Sequence, residues 1–343
     1  MRKDTVTAPD IQPEYICPMF SRSSMLFLVL DELLKDHSTG GNIVWATDTY
    51  ECYGPYYAAD HEMSPVDVVK NLIYGSTQRT MQGTLFLPRV LRAAKDRQQR
   101  TKQKAEVFTP SWVVNMMNNY IMDEYFGRTG VFNTENNNHT WTVNDEKVAL
   151  PDTKVKRGLL PWQQFVDLRM LEITCGEAPY LVSRYDTTTG QAIAIHDRIG
   201  LLDRKIRVVN ENAADDAEWM KWVIRAYEAT YGYEYQGDNL FFARTNMVQT
   251  FIEYYQDRYG KEPDEKMVKK IARIVSWNVW QMDGLKDTVP YGKRHEKKDG
   301  IEGQRTFGDD RNDNCDDSPV YARIMDWRGG SSLEFREMKG EKF

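Results

Sequence analysis

Four short segments hold side chains whose types and spacing could do chemistry. Ala105-Glu-Val-Phe-Thr-Pro110 offers an aromatic face at Phe108, a hydroxyl at Thr109 and open backbone groups, with Pro110-Ser-Trp starting a helix. Taken alone, it is equally the plain first turn of that helix. Leu171-Glu-Ile-Thr-Cys-Gly-Glu-Ala-Pro-Tyr-Leu181 reads as a strand end, a tight turn and a helix start. Open α/β sheets bind ligands at such a place, outside the carboxyl ends of their strands. Glu172 could accept a hydrogen bond from a cationic amino group there. Thr174, Cys175, Gly176, Glu177, Ala178 and Pro179 would bring backbone close to a ligand, although any βα turn uses the same Gly and Pro. In Tyr231–Asn246, Glu234 and Asp238 each follow a second strand and could take both hydroxyls of a ribose, or sit as solvated acids. In Trp277–Leu285, Asp283 lies just past a third strand. It could accept from an adenine amino group or simply begin an Asp-Gly turn.

The elements that must position these residues follow from apolar spacing. Ser21 to Asp36 has the period of a helix, through Met25, Leu26, Val29, Leu30, Leu33 and Leu34, broken by Gly40-Gly41. Asn42–Ala46 reads as a short strand, Arg169–Thr174 as a buried strand, and Ala217–Tyr231 as a helix. Asp264–Trp280 is helical and then apolar, and Val320–Met325 is a candidate fourth strand. Asn133–Thr142, rich in Asn and Thr, reads as an exposed loop, and 292–317 as a mobile polar loop.

Together the four segments resemble the adenine-N6 DNA methyltransferases of restriction–modification systems. Ala105–Pro110 is similar to the family's Phe/Thr-Pro motif, which folds over the methionine end of S-adenosyl-L-methionine. Glu172–Leu181 is similar to its glutamate-any-alanine-cysteine-glycine-any-glycine-any-phenylalanine-leucine loop. Glu172, Cys175, Gly176 and Leu181 match, whereas Thr174, Ala178 and Tyr180 replace alanine, glycine and phenylalanine. The family has an acid nine residues before an Ala-Arg pair. Here Ala243-Arg244 follows Glu234 at that spacing, with Gly232 at the family's glycine. The resemblance thus implies Glu234 as the ribose acid, ahead of Asp238, and Asp283 as the adenine-reading acid. It covers about half of the chain. Pro88-Arg89 and Gly41–Asp48 also look like subunit M of restriction systems.

The family's catalytic Asn/Asp-Pro-Pro-Tyr/Phe motif does not occur in the sequence. Two partial substitutes do: Asp317-Ser-Pro-Val-Tyr321, and Asp326-Trp327 after the candidate fourth strand. Asp326 or Asp317 would hold the target amino group, and Trp327 or Tyr321 would stack on an extruded base. Either pair is equally an ordinary turn or strand end. Only 60 residues follow Asp283, too few for four more parallel strands with their crossovers.

The chain has 343 residues with 51 acidic and 45 basic side chains, a net charge of −6. A wholesale electrostatic nucleic-acid binder is disfavoured, but Arg92–Lys104 is locally basic. Arg92, Lys95, Arg97, Arg100, Lys102 and Lys104 are candidate phosphate contacts, or a solvated helix face. Cys17, Cys52, Cys175 and Cys315 are too scattered for a disulfide framework or a metal site, and Cys175 reads as a packing residue. No apolar run is long enough to span a bilayer and Met1–Asp10 is polar, so a cytoplasmic protein without a membrane anchor is expected. Aromatic residues, at 12% with 9 Trp and 19 Tyr, could fill a core or stack on flat ligands.

The expected fold class is α/β: a Rossmann-like, S-adenosylmethionine-dependent methyltransferase sheet, incomplete at the C-terminus, over 105–343. A mostly helical region over 1–104 precedes it. The expected function is methyl transfer to the amino group of adenine in DNA, within a restriction–modification or phage-defence system. The alternative is a catalytically defective cofactor-binding subunit or sensor that works with a specificity or catalytic partner subunit.

Overall fold

A computed structural model of the protein describes residues 24–46, 62–65, 68, 88–92, 97, 98, 100–102, 106–151, 158–292 and 318–340. A 3-10 turn over Met25–Val29 runs into α1 (Leu30–Leu34). The predicted helix over Ser21–Asp36 is therefore two short pieces within its described part. Asn42–Ala46 forms isolated bridges, Lys35 with Asn42 and Val44 with Glu62, in place of a strand. Next come α2 (Ser111–Phe126), β1 (Asn133–Glu135), β2 (Trp141–Val143), α3 (Pro161–Val166) and β3 (Met170–Glu172). They lead to α4 (Leu201–Asn212), α5 (Asp216–Glu228), β4 (Thr230–Glu234), α6 (Gly237–Tyr259), α7 (Glu265–Asn278) and β5 (Val279–Gln281). The last elements are β6 (Arg323–Asp326), β7 (Ser331–Glu334) and α8 (Phe335–Gly340).

The fold is mixed α/β, with a parallel sheet in the order β3-β4-β5 at its centre. Its register sets Glu172 beside Gly232 and Glu234 beside Gln281, so β4 and β5 end together and β3 stops opposite Gly232. Helices α5 and α7 begin where Asp215 and Asp264 accept the N–H of Glu218 and Met267, and α6 ends on the left-handed Gly260. Helix α6 is buried nearly all round and forms the spine of the core.

The rings serve mainly as core. Trp45, Trp162, Trp219, Trp222 and Trp280 are buried, and Trp219 meets Tyr255 and Tyr259 edge to face. One apolar cluster joins Leu26, Leu33, Ile43 and Trp45 to residues of α4 to α7. The described residues of the N-terminal region thus share their core with the rest of the chain. Arg244 is one polar link between them, beside the Gln281 amide, which pairs with the Val44 backbone. Its guanidinium, fully buried on α6, donates to the carbonyls of Leu33, Lys35, Ser276 and Val279.

Two expectations are corrected. Asn133–Thr142 is no irregular loop but the antiparallel β1–β2 hairpin, with Thr134 opposite Thr142. Side-chain amides do what apolar alternation usually does: Asn133 exchanges hydrogen bonds with Asn115, and Asn136 donates to Thr140 and Thr142. The candidate fourth strand forms as β6, yet it pairs antiparallel with β7 and does not extend the parallel sheet. The turn Trp327–Gly330 folds it straight back, closed by the Gly330 N–H on the Asp326 carbonyl. Residues 293–317 of the polar loop lie outside the described residues. No described helix is long and apolar enough to cross a membrane.

Replacing Arg244 by Met would strand four buried carbonyls and is expected to cost about 3–5 kcal/mol. Urea unfolding checks this, and faster proteolysis within 24–46 should accompany it.

Candidate functional site

The parallel strands β3 and β4 end at two buried carboxyl groups, Glu172 and Glu234, and the chain turns back between them. Three residues of that turn are left-handed: Thr174 (φ 50°), Gly176 (φ 55°) and Ala178 (φ 64°). For Thr and Ala this geometry costs roughly 1–2 kcal/mol each, strain of the kind concentrated at ligand sites. What holds the turn is hydrogen bonding across the strands. The Cys175 N–H donates to the Tyr233 carbonyl (2.8 Å), and the Gly176 N–H to Glu234 Oε2 (2.8 Å). Gly232 is closely packed: a Cβ there would lie 3.3 Å from both Cys175 Sγ and Leu181, so these side chains would have to give by a few tenths of an ångström. Cys175 is buried, and burial pushes its thiol well up, so it packs and does not attack.

A cavity of about 630 Å³ opens over this turn, within the range of small-molecule sites. Of the residues expected from sequence, it gathers Phe108, Thr109, Glu172, Thr174, Cys175, Gly176, Pro179 and Glu234. Glu106, Val107, Tyr180, Tyr235, Gln236 and Asn239 complete its wall, with Lys102. Of these, Tyr235 and Gln236 directly follow the strand-end acid. Their place at the tip of the second strand was the sequence signal that could have found them. Pro110, Glu177, Ala178 and Asp283 lie outside the lining. Glu177 is turned inward, taking the Arg89 N–H (2.6 Å) and the Tyr185 hydroxyl (2.9 Å). Asp283 closes its own turn by accepting the Leu285 and Lys286 N–H groups.

Burial pushes the Glu172 carboxyl well above the usual range. The backbone N–H groups of Tyr180 and Leu181 oppose that rise, and among the described residues the buried Glu172 Oε2 has no partner. A donor from a ligand would complete it. Burial pushes Glu234 up to about 7; Asp238 and Glu106 add to the rise, and the N–H groups of Gln236 and Gly176 oppose it. Each Glu234 oxygen holds one backbone N–H, from Gln236 (3.0 Å) and Gly176 (2.8 Å), leaving lone pairs for hydroxyl donors.

The competing acid, Asp238, is already committed. Arg92 and Arg100 both donate to it (2.9 and 2.8 Å), and Arg100 also pairs with Glu106 (2.6 Å). Burial alone would raise Asp238, but the two guanidinium groups outweigh it and hold the carboxyl low. Arg92 and Arg100 are thereby turned inward, away from any phosphate. Arg89 lies over the Phe108 ring, 4.7 Å from its centre, which fixes one cavity wall. Lys102 reaches the cavity, and the Arg97 carbonyl accepts the Thr101 hydroxyl. Lys95 and Lys104 lie outside the described residues, as does Asp317.

The candidate catalytic residues sit elsewhere. Asp326 pairs with Arg169, just before β3 (3.1 Å), and the Trp327 indole donates to Asn278, just before β5 (2.6 Å). Both therefore lie at the amino ends of the parallel strands, opposite the cavity. Tyr321 bridges to Thr288 and stacks under Arg336, 3.5 Å from its ring centre. Among the described residues no cluster of His, Cys, Asp or Glu could hold a metal ion.

The raised Glu234 carboxyl gives a signed expectation. The folded state keeps a proton that the unfolded chain has released between about 4.5 and about 7. This contribution to stability is fully present below 4.5 and is lost as the pH rises through 7. Glu234→Gln stays neutral throughout, so its unfolding midpoint should fall less steeply than the parent's across that window. Urea titrations at stepped pH measure the difference. In comparisons with known proteins, no family model, no curated protein and no solved structure matches the chain.

Proposed function

We infer that the cavity at the carboxyl ends of β3 and β4 binds S-adenosyl-L-methionine, and that the chain acts in methyl transfer to adenine N6 in DNA. The observation that supports this reading most is the pairing of two buried strand-end carboxyls, Glu172 and Glu234, across one cavity. The strand order β3-β4-β5, counted outward from β3, corresponds to half of a doubly wound, Rossmann-like sheet, whose switch point falls at the first strand. On this reading Glu234 accepts the ribose hydroxyls and Glu172, with its unpartnered Oε2, accepts from the amino group. Phe108 and Thr109 form part of the wall. When bound, the cofactor supplies a methyl group already activated on a sulfonium. What remains for the chain is to position the acceptor and exclude water.

One observation favours a second reading, a cofactor-binding subunit or sensor without turnover of its own. Asp326 and Trp327 lie at the other end of the sheet from the cavity. A partner subunit would then supply the acceptor-holding groups.

Titration calorimetry with S-adenosyl-L-methionine tests both. The parent should bind with one site per chain, and Glu234→Ala should lose binding. Affinity should rise as the pH increases through about 7, because the Glu234 carboxylate is the form that accepts hydroxyl donors. Methyl label appearing in adenine-containing DNA supports the enzyme, whereas binding without label supports the subunit. No binding by the parent would overturn both.

A further inference from the structure

A second cavity of about 310 Å³ lies beside the first. The chain passes directly from the Thr109 wall of one to Ser111 and Trp112 of the other, and the Thr187 hydroxyl pins the Thr109 carbonyl between them (3.3 Å). Two elements distant in sequence bring their rings together there. Trp112, at the start of α2, meets His139, at the tip of the β1–β2 hairpin, with ring centres 4.1 Å apart and planes tilted by 33°. His139 is left-handed (φ 62°), a strained backbone for a non-glycine residue, and it holds the ring over Trp112. Trp141, on β2, completes the aromatic lining, its plane fixed by the indole N–H on the Asp197 carbonyl (2.9 Å). Five of the nine tryptophans are spent in the core, but Trp112 and Trp141 are only half-buried.

The polar groups of the cleft narrow its ligand. Asp186 Oδ2 takes the Ser111 N–H (2.6 Å) and keeps a further lone pair. Burial would raise this carboxyl, but hydrogen bonds from Thr188, Ser111 and Thr189 hold it low, so it stays an acceptor. No Lys or Arg is among the described residues that line the cleft, and Asp197 adds a second acid. A phosphate is thus disfavoured inside. A flat, uncharged ring with an amino donor is favoured, since aromatic faces stack with any base and a carboxylate selects the donor edge.

We propose that the Trp112–His139–Trp141 cleft holds a nucleobase bearing an exocyclic amino group, adenine above all, next to the cofactor cavity. The choice of adenine rests on the methyl-transfer reading, and the cleft supplies the aromatic platform that the sequence lacks at its fourth strand. Asp186 accepts the amino N–H, and the phosphates stay outside.

The test uses the full chain and a short, labelled single-stranded oligonucleotide containing adenine, followed by fluorescence anisotropy. Trp112→Ala should weaken binding about tenfold, the loss of about 1.4 kcal/mol of stacking. His139→Ala, at an exposed hairpin tip, should weaken it in the same direction without threatening the fold. An all-thymine oligonucleotide, which lacks amino groups, should bind more weakly than the adenine one. Calorimetry with S-adenosyl-L-methionine should be unchanged in both variants. Adenine binding that both variants leave untouched overturns the proposal, as does equal binding of the thymine strand. Displacement by methyl glucoside, but not by adenosine, overturns it in favour of a sugar cleft. If the parent fails to bind the cofactor while the oligonucleotide result holds, the cofactor reading falls and the nucleobase cleft stands.

Discussion

The hydrogen bond from the Gly176 N–H to the Glu234 carboxylate joins the tips of two neighbouring parallel strands. Much of the site depends on it. A carboxyl buried at a strand end needs donors, and the nearest donors are the N–H groups of a turn that bends back sharply. Bending that way forces Thr174, Gly176 and Ala178 into the left-handed region. It also presses Cys175 onto Gly232, where a Cβ would lie only 3.3 Å from Cys175 Sγ. The cavity is the space left above this arrangement.

A second constraint divides labour among the acids. Arg92, Arg100, Glu106 and Asp238 form a buried set of two positive and two negative groups, closed on itself. Buried charges need partners, and here each finds two. The set ties the segment before α2 to the first turn of α6. Glu234 stays outside this set, and the field of Asp238 and Glu106 helps keep its proton on near neutral pH. A basic stretch that reads as a solvated helix face or as phosphate contacts thus becomes, in part, the internal brace of the cavity.

The opposite end of the sheet is built for cohesion. Lys205 donates to the Leu168 and Ala229 carbonyls, just ahead of β3 and β4. Asn278 donates to Tyr227 and Thr230 and accepts from Trp327. Arg169 and Asp326 finish the seam. These contacts dock the β6–β7 hairpin against the amino ends of the strands, whereas a ligand at such a sheet is held at the carboxyl ends.

The sequence by itself determined the local facts. It carried the apolar period of α5 and α7, the turn after β3, and the strand-end acids, because spacing and turn chemistry are written in adjacent residues. The family resemblance also marked Glu234, through its spacing to Arg244, whose buried guanidinium the fold uses as a staple. Sequence left Asp238 as the runner-up to Glu234, left Asn133–Thr142 as a loop, and set Asp326 at the tip of a fourth parallel strand. Only the tertiary structure decided these. An arginine 146 residues earlier claims Asp238, and amide pairs from α2 shape the hairpin. Antiparallel pairing with β7 turns Asp326 to the far end of the sheet. Each decision rests on a partner distant in the chain, and local spacing carries no record of which distant groups will meet.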